Sequence, residues 1–157
     1  MDVRYTKDNY QFLLRVSCLI FNEDESKVCL FNVEGRNFFM LPGGKIGELE
    51  ESIDAIKREI KEELGWDKLK YSFLGICEEF VNDKGYDNHQ INLIYKGIYN
   101  GDITENEFKG IEGDWINFKW ISVDELNNYK IYPSMVYNLV NDSNKIYHSI
   151  DNLINKS

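Results

Sequence analysis

Glu59, Glu62 and Glu63 stand close together in the run Gly44–Trp66, GKIGELEESIDAIKREIKEELGW. On a helical wheel at about 100° per residue they form an acidic fan about 100° wide. Like charges at i,i+4 repel, at a cost of roughly 0.2–0.5 kcal/mol per pair. Arg58 can reach Asp54 or Glu62, but Glu59 has Ala55 before it and Glu63 after it at that spacing. Nothing local neutralises the fan. A multivalent cation held between the carboxylates is the chemistry such a cluster can support, and the bland alternative is a solvated, glutamate-rich helix face.

The elements that must position this cluster can be read from pattern. Ile53, Ile56, Ile60 and Leu64 form an apolar stripe beside the acidic one, so the helix can dock on a core. Ser52 is placed to cap its N-terminus and Gly65 to end it. Phe12–Phe21 and Lys27–Val33 read as strands of a hairpin, and Phe38–Leu41 is a short apolar run. Pro42-Gly43-Gly44 breaks the chain, with no regular element expected through it. Tyr71–Val81, Ile91–Tyr99 and Asn117–Ile121 read as further strands. Asn100–Asp114 reads as a long loop, and Ser122 and Glu125 hold capping-box positions for a short helix. A C-terminal helix is expected over Ser134–Ile154, with His148 on it in a structural role. Strands outnumber helices, so the expected fold is α/β of the mixed kind, a mixed β-sheet covered by helices.

The run from Gly44 to Trp66 resembles the signature of the Nudix hydrolases, G-x₅-E-x₇-R-E-U-x-E-E-x-G-U, where U is bulky and apolar. Gly44, Glu50, Arg58-Glu59, Ile60, Glu62-Glu63 and Gly65 fill it, and Trp66 stands where an aliphatic residue is usual. The resemblance implies a loop–helix–loop motif in a single Nudix domain over residues 1–157. It implies Glu59, Glu62 and Glu63 as ligands of Mg²⁺ or Mn²⁺, joined by the backbone carbonyl of Gly44. Oxygen ligands suit such hard cations better than zinc. Glu50 and Arg58 would pair to fix the loop, and Gly43 would allow the tight turn. The segment Trp120–Leu126 looks like a late Trp-x-x-x-Asp/Glu-Leu element of many similar proteins.

The activity implied is hydrolysis of a diphosphate linkage in a nucleoside diphosphate joined to another group, as in the MutT-like branch. A carboxylate would orient or deprotonate the attacking water. In similar proteins it often lies on a loop before the last strand, where this chain has Glu105, Glu107 and Glu112. Glu112 is the expected base, with Glu78, Glu79, Glu59 and Glu62 as alternatives. The proline that accompanies ADP-ribose cleavage is not placed here, since the chain's prolines are Pro42 and Pro133. Tyr86 lies too far along for the tyrosine associated with dinucleoside polyphosphates, and the markers for NADH and coenzyme A cleavage are missing. Phe38, Phe39, Phe80, Tyr86 and Trp115 are the candidates for stacking a base, and His89 for reaching a ligand. Two other readings are a nucleotide-binding module without turnover, disfavoured by the complete signature, and a prenyl diphosphate isomerase, whose extra residues are not identifiable.

Composition bounds the rest. A chain of 157 residues, 43% hydrophobic with nine Phe, three Trp and ten Tyr, suits one domain with a sizeable core. A net charge of −9 argues against a nucleic-acid polymer or an anionic membrane as partner, although a metal can reverse the local field for a small anion. Cys18, Cys29 and Cys77 have no metal or redox spacing and read as buried thiols of a cytoplasmic protein. The N-terminal MDVRYTKDNY shows no secretory pattern, and Phe12–Phe21 is too short to span a bilayer. Dimers are frequent in the family, so a homodimer is an arrangement the resemblance allows.

Overall fold

The structure is a computed structural model that describes residues 1–142 and 145–154. In chain order it contains β1 (Arg4–Lys7), β2 (Tyr10–Asn22), β3 (Lys27–Val33), β4 (Phe39–Met40), β5 (Gly43–Lys45), α1 (Ser52–Leu64), β6 (Lys70–Asp83), β7 (Tyr86–Tyr99), β8 (Glu107–Gly110), β9 (Gly113–Ser122), a 3₁₀ turn (Val123–Asn128), β10 (Ile131–Tyr132), α2 (Val136–Leu139) and β11 (Tyr147–Asn152).

Strand β2 organises the sheet. Its residues Val16–Phe21 are buried without a break, as expected of a strand covered on both faces. One edge pairs in parallel with β7 along its whole length, from Tyr10↔Asp87 to Asn22↔Tyr99. The other edge is shared in turn by β1, β5 and β3. The main path runs β10-β4-β3-β2-β7-β6-β11, with β9 antiparallel on β3 and β8 on β9. A tight turn at Lys84 (φ 52°) and Gly85 (φ 82°) joins β6 and β7, a pair of positive φ values that matches the twist of the two strands.

Two buried clusters cover the two faces. Val16, Cys18 and Ile20 pack with Ala55, Ile56, Ile60 and Leu64 of α1. Leu19, Phe21 and Ile94 pack on the opposite side with Leu126, Met135, Val136 and Leu139, from the 3₁₀ turn and α2. The sheet is therefore mixed and lies between helical layers, as the sequence leads one to expect. All three cysteines are free and buried. Among the described residues, no helix is long and apolar enough to cross a membrane.

Several local expectations differ from the structure. Residues Gly43–Lys45 do form a short strand, because β2 has an unpaired edge at Arg15–Ser17 and the glycines let the backbone reach it. Ser52 is the first residue of α1 and not its cap. Its hydroxyl instead meets that of Tyr95 at 2.7 Å. Ser122 precedes the 3₁₀ turn without a side-chain cap. The loop expected over Asn100–Asp114 holds β8 and the start of β9. The helix expected over Ser134–Ile154 is one turn, Val136–Leu139, followed by β11, with residues 143 and 144 of that span outside the described residues. Tyr147–Asn152 alternates half-buried and exposed positions, a strand's period of two, and β6 offers it a free edge. His148 is thus on a strand, with Nε2 2.6 Å from Glu78 Oε2.

Candidate functional site

The site begins where α1 crosses the turn into β5. Gly65 ends α1 in the left-handed region (φ 75°), and its N–H donates to the Lys61 carbonyl at 2.9 Å. Trp66, just beyond, stacks on Tyr99 with ring centroids 3.9 Å apart and lies near Trp120. An aromatic cluster thus fills the place where an aliphatic residue is usual.

Gly43 and Gly44 face opposite ways, and each is needed for a different contact. A Cβ on Gly43 would lie 2.1 Å from the Val16 carbonyl oxygen, inside the pairing with β2. A Cβ on Gly44 would lie 2.3–2.5 Å from the Glu59 carboxylate. The helix carboxylate therefore sits against bare backbone, in a cradle that any side chain would fill.

Glu59 and Glu63 are half-buried and repel each other. Burial, followed by repulsion from Glu59 and Glu112, pushes Glu63 up to about 8, against the pull of Arg15 and of the Gly43 N–H that donates to it. Burial also raises Glu59, with Glu62 and Glu112 adding repulsion and Arg58 opposing it. Glu62 is exposed and turned to Arg58, 3.4 Å from Nη1. Among the described residues, no group of three Asp, Glu, His or Cys side chains is gathered closely enough to hold a metal ion as it stands.

Arg58 ties the surrounding loop down. Its Nε and Nη2 donate to Glu50 at 2.8 and 2.9 Å, Nη2 reaches the Lys45 carbonyl at 3.1 Å, and Nη1 reaches Glu59 at 2.9 Å. Glu50 also accepts from the Gly47 N–H at 3.0 Å. The guanidinium thus joins the loop before α1 to the helix itself.

Glu112 arrives from the turn between β8 and β9. That turn docks on the end of α1, where the Ile111 N–H donates to the Glu63 carbonyl at 3.2 Å. Glu107 instead pairs with Lys119 at 3.2 Å, and Glu105 lines a separate pocket together with Glu107 and Lys119. Glu79 lines a cavity of about 560 Å³ together with Phe38, Arg15, Asn92 and Asp151. Of the other aromatic candidates, Phe39 packs on Tyr129, Phe80 stacks on His89, Tyr86 sits at the β6–β7 turn and Trp115 is exposed. His89 is occupied by Tyr10, whose hydroxyl is 2.9 Å from Nδ1.

Sequence reasoning did not single out Arg15, Ser17 and Asn92. Ser17 Oγ donates to Asn92 Oδ1 at 2.9 Å, and Asn92 Nδ2 donates to Glu79 at 2.8 Å, with Ser17 and Asn92 both buried. The available signal was a polar residue between apolar neighbours, Ser17 between Val16 and Cys18 and Asn92 between Ile91 and Leu93.

A family model for the NUDIX domain matches residues 11–139. The chain belongs to the Nudix family. The Nudix chain is 34% identical over 104 residues to the m7GpppN-mRNA hydrolase of Saccharomyces cerevisiae, a match covering 66% of this chain and 10% of that protein. It is 30% identical over 115 residues to the mRNA-decapping protein D10 of fowlpox virus, covering 65% of this chain and 47% of that protein. It therefore spans about a tenth of the yeast relative and about half of the viral one. In fold it is similar to the MutT protein of Bacillus halodurans, with TM-score 0.69, 18% identity and coverage of 90% of this chain and 91% of that one. It is also similar to the MutT NUDIX hydrolase of Burkholderia pseudomallei, with TM-score 0.62, 18% identity and coverage of 86% and 99%. The chain thus shares its family with proteins named as hydrolases.

Proposed function

We propose that this Nudix protein hydrolyses the diphosphate linkage of a nucleotide with the help of Mg²⁺ or Mn²⁺. The observation that carries the reading is the pair Glu59 and Glu63, half-buried and mutually repelling, with Glu59 set against the bare backbone of Gly44 and Glu63 accepting from the Gly43 N–H. The donor set is oxygen only, which fits a hard cation. Glu59 and Glu63 would hold it with the Gly44 carbonyl, and Glu62 would join by leaving its 3.4 Å contact with Arg58. When bound, such an ion neutralises the diphosphate, polarises a phosphoryl oxygen and acidifies water.

The chain's own residues supply the remainder. Arg15, whose charge opposes the burial that raises Glu63, meets the phosphates with a planar guanidinium suited to them. Glu112, exposed on its turn and near Glu59 and Glu63, orients the attacking water and takes its proton on the carboxylate. Arg58 holds Glu50 and Glu59, keeping the helix and its loop in register.

Incubation with nucleoside triphosphates, dinucleotides and nucleotide sugars, with and without Mg²⁺, tests the reading. Metal-dependent release of nucleotide or phosphate is expected, and Glu63→Gln should lower the rate by about 10²–10³-fold. Binding across the panel without turnover would favour a sensing module instead. A second substrate, the capped 5′ end of an RNA, is favoured by the two relatives whose names describe mRNA hydrolysis and decapping. The net charge of −9 weighs against a long RNA track. Faster release from capped RNA than from any free nucleotide would overturn the small-molecule preference.

A further inference from the structure

The cavity of about 560 Å³ lies beside the carboxylate site, on the sheet face away from α1, and has two chemically distinct sides. One is polar and acidic. Glu79 on β6 stands in register with Asp151 on β11 and with Gln90 on β7, so neighbouring strands present these side chains to one face. The other side is aromatic. Phe38 and Tyr132 meet edge to face at 5.3 Å, with the Arg36 guanidinium 5.7 Å from the Phe38 ring. Arg15 lines the cavity and pairs in register with Lys45, next to Gly44, so it connects the cavity to the metal-binding region, and its charge opposes the burial that raises both Glu79 and Glu63.

The acidic side is held as an acceptor surface. The chain Ser17→Asn92→Glu79 points an amide N–H at Glu79, which orients its carboxylate to accept. Asp151 is fixed by the Ser134 N–H at 2.9 Å and the Ser134 hydroxyl at 2.6 Å. An ionised carboxylate accepts up to about four hydrogen bonds. Asn92 and Cys77 on Glu79, with Ser134 on Asp151, leave capacity for a ligand.

We infer that this cavity reads the base of the substrate and selects guanine, through hydrogen bonds from its N1–H and 2-amino group to Glu79 and Asp151. The inference rests on the nucleotide-hydrolase reading above. Among the common bases, guanine alone offers two adjacent donors on that edge. Adenine and cytosine place an acceptor beside a donor, and uracil places one N–H between two carbonyls. A pair of carboxylates can only accept, so each of the others leaves an acceptor facing an acceptor. The aromatic side supplies a surface on which the ring stacks, and Arg15 lies where the phosphates pass toward Glu63. The same chemistry serves a free guanine nucleotide and the guanine of a capped RNA.

Titration calorimetry of the whole protein with GMP, AMP, CMP, UMP, IMP and 7-methyl-GMP, with Mg²⁺ present, tests this without requiring turnover. A guanine form is expected to bind about 10–100-fold more tightly than AMP, CMP or UMP. IMP, which keeps N1–H but lacks the 2-amino group, should lose about tenfold relative to GMP. Whether GMP or 7-methyl-GMP binds more tightly distinguishes the free nucleotide from the cap. Glu79→Gln should narrow the guanine-to-adenine ratio, because the new amide donates to adenine N1, whereas a merely structural carboxylate would weaken all bases alike. If that variant does not fold, the wild-type comparison of GMP with IMP decides. Equal affinity across the bases would overturn the inference and leave the hydrolase reading standing. Guanine-selective binding with no hydrolysis of any diphosphate would do the reverse.

Discussion

Two adjacent glycines carry different burdens in this protein, and substitution by alanine should separate them. At Gly43 a methyl group would meet the Val16 carbonyl oxygen at 2.1 Å, an atom fixed by strand pairing. Gly43→Ala should destabilise the fold by about 1–3 kcal/mol, lowering the denaturant midpoint. At Gly44 the methyl would meet the Glu59 carboxylate at 2.3–2.5 Å, the far end of a flexible side chain that can swing away. Gly44→Ala should therefore keep its unfolding midpoint while Mg²⁺ affinity and hydrolysis fall together. Similar unfolding curves and similar activities for the two variants would contradict this division. At the same scale, Glu63 is a half-buried acid, and repulsion from Glu59 and Glu112 adds to burial in raising it.

At the scale of elements, α1 and the loop before it act as one unit because Arg58 bonds to both. The Arg58 guanidinium, with help from the Gly47 N–H, holds Glu50 down at about 2, from an ordinary 4.5. A carboxylate depressed in the folded state stabilises above its unfolded pKa and loses that contribution as pH falls through the folded value. Stability should thus drop between about pH 4.5 and 2, and Glu50→Gln should flatten that drop, as followed by thermal melts. Arg58→Lys should also weaken the unit, because an ammonium cannot supply the forked contacts to Glu50.

The helix was legible in advance because an apolar stripe, an acidic stripe and a terminal glycine all agreed over one span. The C-terminal region was not, because Val136, Leu139, Tyr147 and Ile150 suit a helix as well as a strand, and the free edge of β6 decided the outcome. Strand β5 was hidden for a similar reason, since its pairing depends on an edge of β2 that local sequence does not reveal. The acidic stripe could be read from spacing, but its partial neutralisation could not. The i,i+4 spacing gives Glu59 no local cation, whereas Arg58, the adjacent residue, bonds to it at 2.9 Å and to Glu62 at 3.4 Å. Nor could the cavity be read, because Arg15, Asn92, Glu79 and Asp151 come together only through strand register.

For the whole molecule, a net charge of −9 and an anionic substrate are compatible only if cations stand between them. The chain sets Glu59, Glu63 and Glu112 near one another where α1 and the β8–β9 turn meet, and places Arg15 beside Glu63. Burial raises the Glu63 carboxyl to about 8 from an ordinary 4.5, so the folded protein keeps a proton that the unfolded chain gives up. Without metal, stability should decline as pH rises from about 4.5 to 8, and added Mg²⁺ should raise the melting temperature more at pH 8 than at pH 6.

The most direct test is calorimetric titration of Mn²⁺ and Mg²⁺ into the metal-free protein at pH 7, repeated in buffers of different ionisation enthalpy. Binding should release close to one proton per protein, the one Glu63 holds at that pH, and Glu63→Gln should bind far more weakly and release none. No heat from either ion, alone or with a nucleotide, or the same proton release from Glu63→Gln, would contradict the claim that these carboxylates hold the cation that meets the diphosphate.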